Sequence, residues 1–212
     1  MQLIGMLDSP YVRRVAIALI IAKTPFIHRP ISLFRHIDQF SKLNPLLKLP
    51  TLLTDGGAAL IDSGVILDYL AGVHPRIAAL TPSKAPERLA AARATGLALT
   101  VMEKAVQRHY ERALRPAEKR HEPWVDRVMT QLTAGLGALD AELPGSGWIG
   151  GELGLAEISV ACGFGFICGV LTDIVETGHY PNLAAFCARA EALPTFRAAP
   201  PEDGATVSMI GD

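Results

Sequence analysis

The chain has 212 residues, half of them apolar, and 20 Lys and Arg against 21 Asp and Glu give it a net charge of −1. That length fits one large domain or two small ones, and the charge balance argues against a nucleic-acid binder that works through phosphate attraction alone. Three cysteines, Cys162, Cys168 and Cys187, come late, in odd number and without CxxC spacing, which argues against a disulfide framework or a paired redox site. The six histidines show no metal-ligand spacing, so no metal is expected.

In chain order, Gln2 to Leu7 is a short apolar stretch that suits a buried strand. Asp8-Ser9-Pro10 breaks it, and serine before proline predicts a helix start with Ser9 as N-cap and Pro10 at the first helical position. The helix that follows carries Val12, Val15, Leu19 and Ala22 on one face and Ile17, Ile20 and Ile21 elsewhere, so it is expected to be covered on more than one side. Ser9 then sits where free N–H groups and the helix dipole favour an anion. Phe26 to Leu33 reads as a second strand, placed at a sheet edge by Pro30, and His36 to Lys42 as a short helix. Leu49-Pro50 precedes a strand over Thr51–Thr54, Gly56-Gly57 makes a hairpin turn, and Ala58–Ile61 returns. A cis Pro50 would expose the Leu49 backbone to pair with an extended peptide; a trans proline at an edge strand fits the same residues. Asp62-Ser63 opens a further helix. A carboxylate and a hydroxyl at such an end suit an α-amino-acid head group, Asp62 taking the ammonium, Ser63 and backbone N–H groups the carboxylate. Simple capping accounts equally for Ser9, Asp62 and Ser63 taken singly.

Taken together, Ser9-Pro10-Tyr11-Val12-Arg13-Arg14-Val15, Leu43 to Leu52 and Ile61 to Leu70 resemble the N-terminal domain of a glutathione S-transferase, most nearly the small bacterial members that use serine. The resemblance is carried by about the first 75 residues. It implies an α+β fold, a thioredoxin-like domain over residues 1–76, a linker at 77–86 and an all-helical C-terminal domain over 87–212. It also implies that Ser9 holds the glutathione sulfur as the catalytic residue, and that the Leu49 backbone beside a cis Pro50 pairs with the cysteinyl unit. In the same reading Asp62 and Ser63 hold the γ-glutamyl end, and Lys48 approaches the glycyl carboxylate. The implied activity is attack of bound glutathione thiolate on a small electrophile, as in detoxification, by a homodimer. A glutathione-dependent isomerase or reductase, or a non-catalytic glutathione-binding or regulatory protein, would use the same first domain. The bound thiolate, and not Ser9, is the nucleophile; a free thiol has a pKa of about 8.5, and a helix N-terminus with a hydroxyl donor lowers it. Asp8 is adjacent, and its carboxylate would oppose thiolate formation if it turned toward the sulfur.

Pro75 to Pro86 holds three prolines and little periodicity and reads as a linker. Helical runs are then expected over Glu87 to about Lys119, interrupted by Pro116, and over Pro123–Leu143, Leu155–Leu171 and Asn182–Leu193, with Gly154 and Glu157 capping the third. Lys104, Arg108, Arg112, Arg115 and Lys119 recur at near-helical spacing, either as a solvated face paired through Glu111 and Arg115 or as a basic wall attracting an anionic substrate. His109, Tyr110 and Trp124 are candidates for a second-substrate pocket or for packing. The polar tail from Pro200 to Asp212 is expected to be mobile. Arg13-Arg14 with the following apolar run lacks a cleavage site, and Ile158–Leu171 is too short to span a bilayer, so the expected location is the cytoplasm, with no membrane and no nucleic-acid partner.

Overall fold

Each strand of the sheet is only three residues long. The reason is local: β1 (Gln2–Ile4) runs into Gly5 at φ 135°, and β2 (Ile27–Arg29) runs into Pro30, which has no N–H to continue a ladder. β3 (Thr51–Leu53) and β4 (Ala59–Ile61) flank the Gly56-Gly57 turn. The strand order is β2-β1-β3-β4, with β1 and β2 parallel and the other pairs antiparallel, so β2 lies at an edge. The computed structural model describes residues 1–172, 179–202, 204 and 206. The expectation of a mobile tail over Pro200–Asp212 lies largely outside the described residues.

Two compact units divide the chain. The first comprises Met1–Ser83 together with the described residues from Glu191 onward. In it, α1 (Pro10–Ile21) packs on β1, on α3 (Ser63–Val73) and on α9 (Pro194–Arg197), and nine of its twelve residues are buried. Ser9 is its N-cap and Pro10 its first residue. α2 (Ile37–Ser41) contributes Phe40 to a cluster with Ile4 and Ile31, and Leu43, Leu47, Leu49 and Leu53 pack around it. The segment expected as a featureless linker is partly helical. Pro75 starts α4 (Pro75–Ala78), which packs on α3, and Ile77 and Leu80 are buried. Proline at the first helical position presets the turn, so the proline count there marked a helix start.

The second unit, Lys84–Ala190, is built on α5 (Ala85–Ala113), which packs against α6 (Glu122–Glu142) and α7 (Leu155–Val170); α8 (Pro181–Glu191) ends at its boundary. Helix α5 stops at Ala113, not at Lys119. Arg120 donates to the Arg112 and Arg115 carbonyls, and Glu111 accepts from the Arg115 side chain and the His121 N–H, closing the chain back on the helix end. Arg115 and Lys119 therefore lie beyond the helix, Lys119 in a 3-10 turn, and the five basic residues do not share one helical face. Lys104 bonds Glu103 and Gln107, and Arg115 bonds Glu111, but the Lys104 and Glu111 side chains are only 13% and 10% exposed, so the paired residues do not form a fully solvated face. At the start of α7 the Glu157 carboxylate, 1% exposed, accepts from the Gly154 and Gly150 N–H groups, so it fixes both the helix end and the preceding loop. Among the described residues no helix is long and apolar enough to cross a membrane, and no cluster of His, Cys, Asp or Glu is placed to hold a metal ion.

Candidate functional site

One row across the sheet assembles the candidate residues. Ile4 pairs with Thr51, and Thr51 pairs with Ile61. The residues just outside that row are Gly5, leading through Met6, Leu7 and Asp8 to Ser9, then Pro50, then Asp62. Three segments far apart in sequence thus leave the sheet at one end.

The first segment is the corner before α1. The Ser9 N–H bonds the Met6 carbonyl at 3.2 Å, and the Val12 N–H donates to Ser9 Oγ at 3.5 Å. That bond is long, so the hydroxyl is only lightly committed to capping. Ser9 is half-buried, whereas Asp8 is exposed and is not the cap. Gly5 holds the corner close: a Cβ there would stand 2.6 Å from Val12 Cγ2 and 2.8 Å from Leu49 Cδ2. His28 supports it from β2, its Nε2 bonding the Gly5 carbonyl at 2.7 Å while its Nδ1 accepts from the Thr206 N–H at 3.0 Å. Burial lowers the His28 pKa, partly opposed by the Gly5 carbonyl.

The second segment is the loop ahead of β3. The Leu49–Pro50 peptide is cis. Buried Asn44 organises the loop: its Nδ2 donates to the Lys48 carbonyl at 3.2 Å and to Thr51 Oγ1 at 2.9 Å, and its Oδ1 accepts from the Leu46 N–H at 3.0 Å. Thr51 Oγ1 donates to the Lys48 carbonyl at 2.8 Å. Lys48 is exposed, held by its carbonyl and not by its side chain, and Leu49 is half-buried. Leu47 takes φ 50°, which turns the loop back on itself.

The third segment opens α3. Asp62 Oδ1 accepts from the Gly64 N–H at 2.7 Å and the Val65 N–H at 3.2 Å, so this exposed carboxylate is the N-cap. Its backbone sits at φ 71°, ψ 125°, a conformation that non-glycine residues adopt only at a cost. Ser63, by contrast, is 2% exposed, and its Oγ accepts from Arg14 Nη1 at 2.9 Å.

The structure therefore brings Ser9, Leu49, Pro50, Asp62 and Ser63 to one end of the sheet and leaves the Lys48 side chain in solvent beside them. Two contributors escaped sequence reading. Asn44 carries the loop, and an Asn-Pro pair before a turn was its available signal. Arg14 reaches Ser63 from α1, and the signal was a basic residue inside an otherwise buried helix. Of the pocket candidates of the second unit, Tyr110 and Trp124 are 40% and 43% exposed and His109 is half-buried.

A sequence profile described as the glutathione S-transferase N-terminal domain matches residues 3–78. A glutathione transferase family member from Pseudomonas fluorescens Pf-5, solved with bound glutathione, is 30% identical over 95% of this chain and 98% of its own, with a TM-score of 0.78. A glutathione S-transferase from Methylobacterium radiotolerans, solved in complex with glutathione sulfonate, is 29% identical over 100% and 97% of the two chains, with a TM-score of 0.83. The uncharacterized GST-like protein YibF of Escherichia coli K12 is 28% identical over 169 residues, 79% of this chain and 82% of its own. The chain belongs to the glutathione S-transferase family.

Proposed function

We propose that this protein is a glutathione transferase in which Ser9 donates a hydrogen bond to the bound sulfur. The Leu49 backbone pairs with the cysteinyl unit beside Pro50. Asp62 takes the glutamyl ammonium through its second carboxylate oxygen, while Ser63, through its hydroxyl and its backbone N–H, takes the α-carboxylate. Lys48 approaches the glycyl carboxylate. The observation that carries this reading is the sheet row Ile4–Thr51–Ile61, from which all three segments depart together. The thiolate then forms a C–S bond to a small electrophile, and either the leaving group departs with its electron pair or a proton from solvent completes an addition. The gain comes from thiolate stabilisation and orientation of two substrates. Exposed Asp8 does not cap α1, and its carboxylate would oppose the thiolate if it turned toward the sulfur. A homodimer is part of the proposal, supported by an exposed apolar stripe on α3 of Val65, Tyr69 and Val73 at 56%, 42% and 50%.

Calorimetry with millimolar glutathione, followed by the pH dependence of thiolate absorbance in the complex, tests this. The native protein is expected to bind glutathione and to lower its thiol pKa by about one unit or more from roughly 8.5. Ser9→Ala should keep the affinity within a few fold and return most of the shift, slowing conjugation near neutral pH by about tenfold. Absence of uptake by the native protein sinks the proposal.

A further inference from the structure

Arg14 is an unusual occupant of its position. It sits on a helix buried nearly all round and is itself 3% exposed, yet Nη1 reaches out of α1 to the Ser63 hydroxyl at 2.9 Å. That hydroxyl is not needed to cap α3, since Asp62 already serves the Gly64 and Val65 N–H groups. The bond has a direction. A guanidinium carries five donors and no acceptor, and it stays charged at any working pH. Ser63 Oγ must therefore accept from Arg14, and its own proton is left to point elsewhere. A hydroxyl polarised by a cation on one side is a stronger donor on the other. The dipole of α3 favours an anion at the same end.

From this geometry we propose that Arg14 is a positioning residue that locks Ser63 as a donor and thereby selects ligands with a carboxylate at the glutamyl α-position. The inference rests on the glutathione reading above and refines it: the site would distinguish an α-amino-acid head from a simple amine. Arg14 touches no substrate and acts through Ser63.

The test compares glutathione with γ-aminobutyryl-cysteinylglycine, which lacks only the α-carboxylate, by calorimetry and steady-state kinetics. The native protein should prefer glutathione by about tenfold or more, the range for a hydrogen bond to a charged group. Arg14→Gln removes the charge and the enforced direction, because its amide oxygen can accept the Ser63 proton; the preference should fall to about one. Its effect should lie in KM for glutathione, with kcat and the bound thiol pKa unchanged, which a general loosening of the fold would not produce. Ser63→Ala should erase the same preference, and the double variant should lose no more than either single one. Arg14→Lys, which keeps a donor-only cation, should retain most of the preference, and Arg14→Met, which has neither charge nor donor, serves in place of Arg14→Gln if that variant does not fold. An unchanged preference in Arg14→Gln, or in Arg14→Met where that variant serves, overturns the proposal. So does equal binding of both peptides by the native protein, whereas binding of neither overturns the glutathione reading itself.

Discussion

His28 joins three pieces of chain through two ring nitrogens, donating to Gly5 and accepting from Thr206. Protonation of Nδ1 would set a donor against the Thr206 N–H. Burial already disfavours the charged ring, so its folded pKa lies below the ordinary 6.5. The sign follows directly: below about pH 6.5 the unfolded chain takes up a proton that the folded chain resists. The stabilisation is complete above that value and is lost as pH falls through the folded pKa, with a limiting slope of about 1.4 kcal/mol per pH unit. Urea midpoints at pH 7.5 and 5.5 should therefore differ more in the native protein than in His28→Gln, whose side chain can still donate to Gly5; equal differences would refute the assignment. At this scale the sequence spoke where a side chain acts on its near neighbours in the chain. Ser9 and Asp62 were legible because a cap is written in adjacent residues. The Arg14–Ser63 bond was not, because it joins residues 49 positions apart and depends on which side of α1 faces α3.

Elements were legible where a stop or start is covalent. Pro10 and Pro123 mark true helix starts and Gly56-Gly57 marks the hairpin, whereas the helix start at Pro75 was read as linker. The end of α5 was not, because Arg120 and Glu111 close it through space. Helix approach in the second unit is likewise set by which residue a glycine meets. A Cβ on Gly135 of α6 would lie 2.5 Å from Cγ1 of Val101, a side chain with little rotamer freedom. A Cβ on Gly163 of α7 would meet Met102 at 3.0 and 3.1 Å, a flexible thioether chain. Gly135→Ala should therefore cost about 1–3 kcal/mol by overpacking. Gly163→Ala should be close to neutral, because the helix-propensity gain of about 1 kcal/mol offsets a small adjustment. Thermal melts of the two variants check the contrast, and equal losses would count against it.

Over the whole molecule, the first unit is discontinuous in sequence. Arg13, 2% exposed, is gripped by residues nearly the full chain length away: both its terminal nitrogens bond Glu191, at 2.6 and 2.7 Å, its Nε bonds the Ala199 carbonyl at 2.7 Å, and it lies over the Phe196 ring. Glu191→Ala leaves the Ala199 bond in place but strips the carboxylate. Breaking a fully buried pair costs 3–5 kcal/mol, and Glu191 is 37% exposed, so a loss of about 1–3 kcal/mol is expected after allowance for solvent screening. Chemical denaturation read by a probe on α1 measures it, and no change in midpoint would show that the pair contributes nothing. Repacking Arg13→Met with Glu191→Ala should recover part of the loss, since an apolar pair needs no desolvated charge. Helices α1 and α8 were readable from sequence, but α9 was not, and the return of this region to α1 was not either, because no periodicity records a contact between residues 13 and 191. The arrangement also bears on biosynthesis. Residues 1–83 leave the ribosome long before 191–199 do, so nascent α1 must wait with a cation whose distant acceptors are not yet within reach, and protection of that helix from proteases should arise only once Ala199 has left the ribosome.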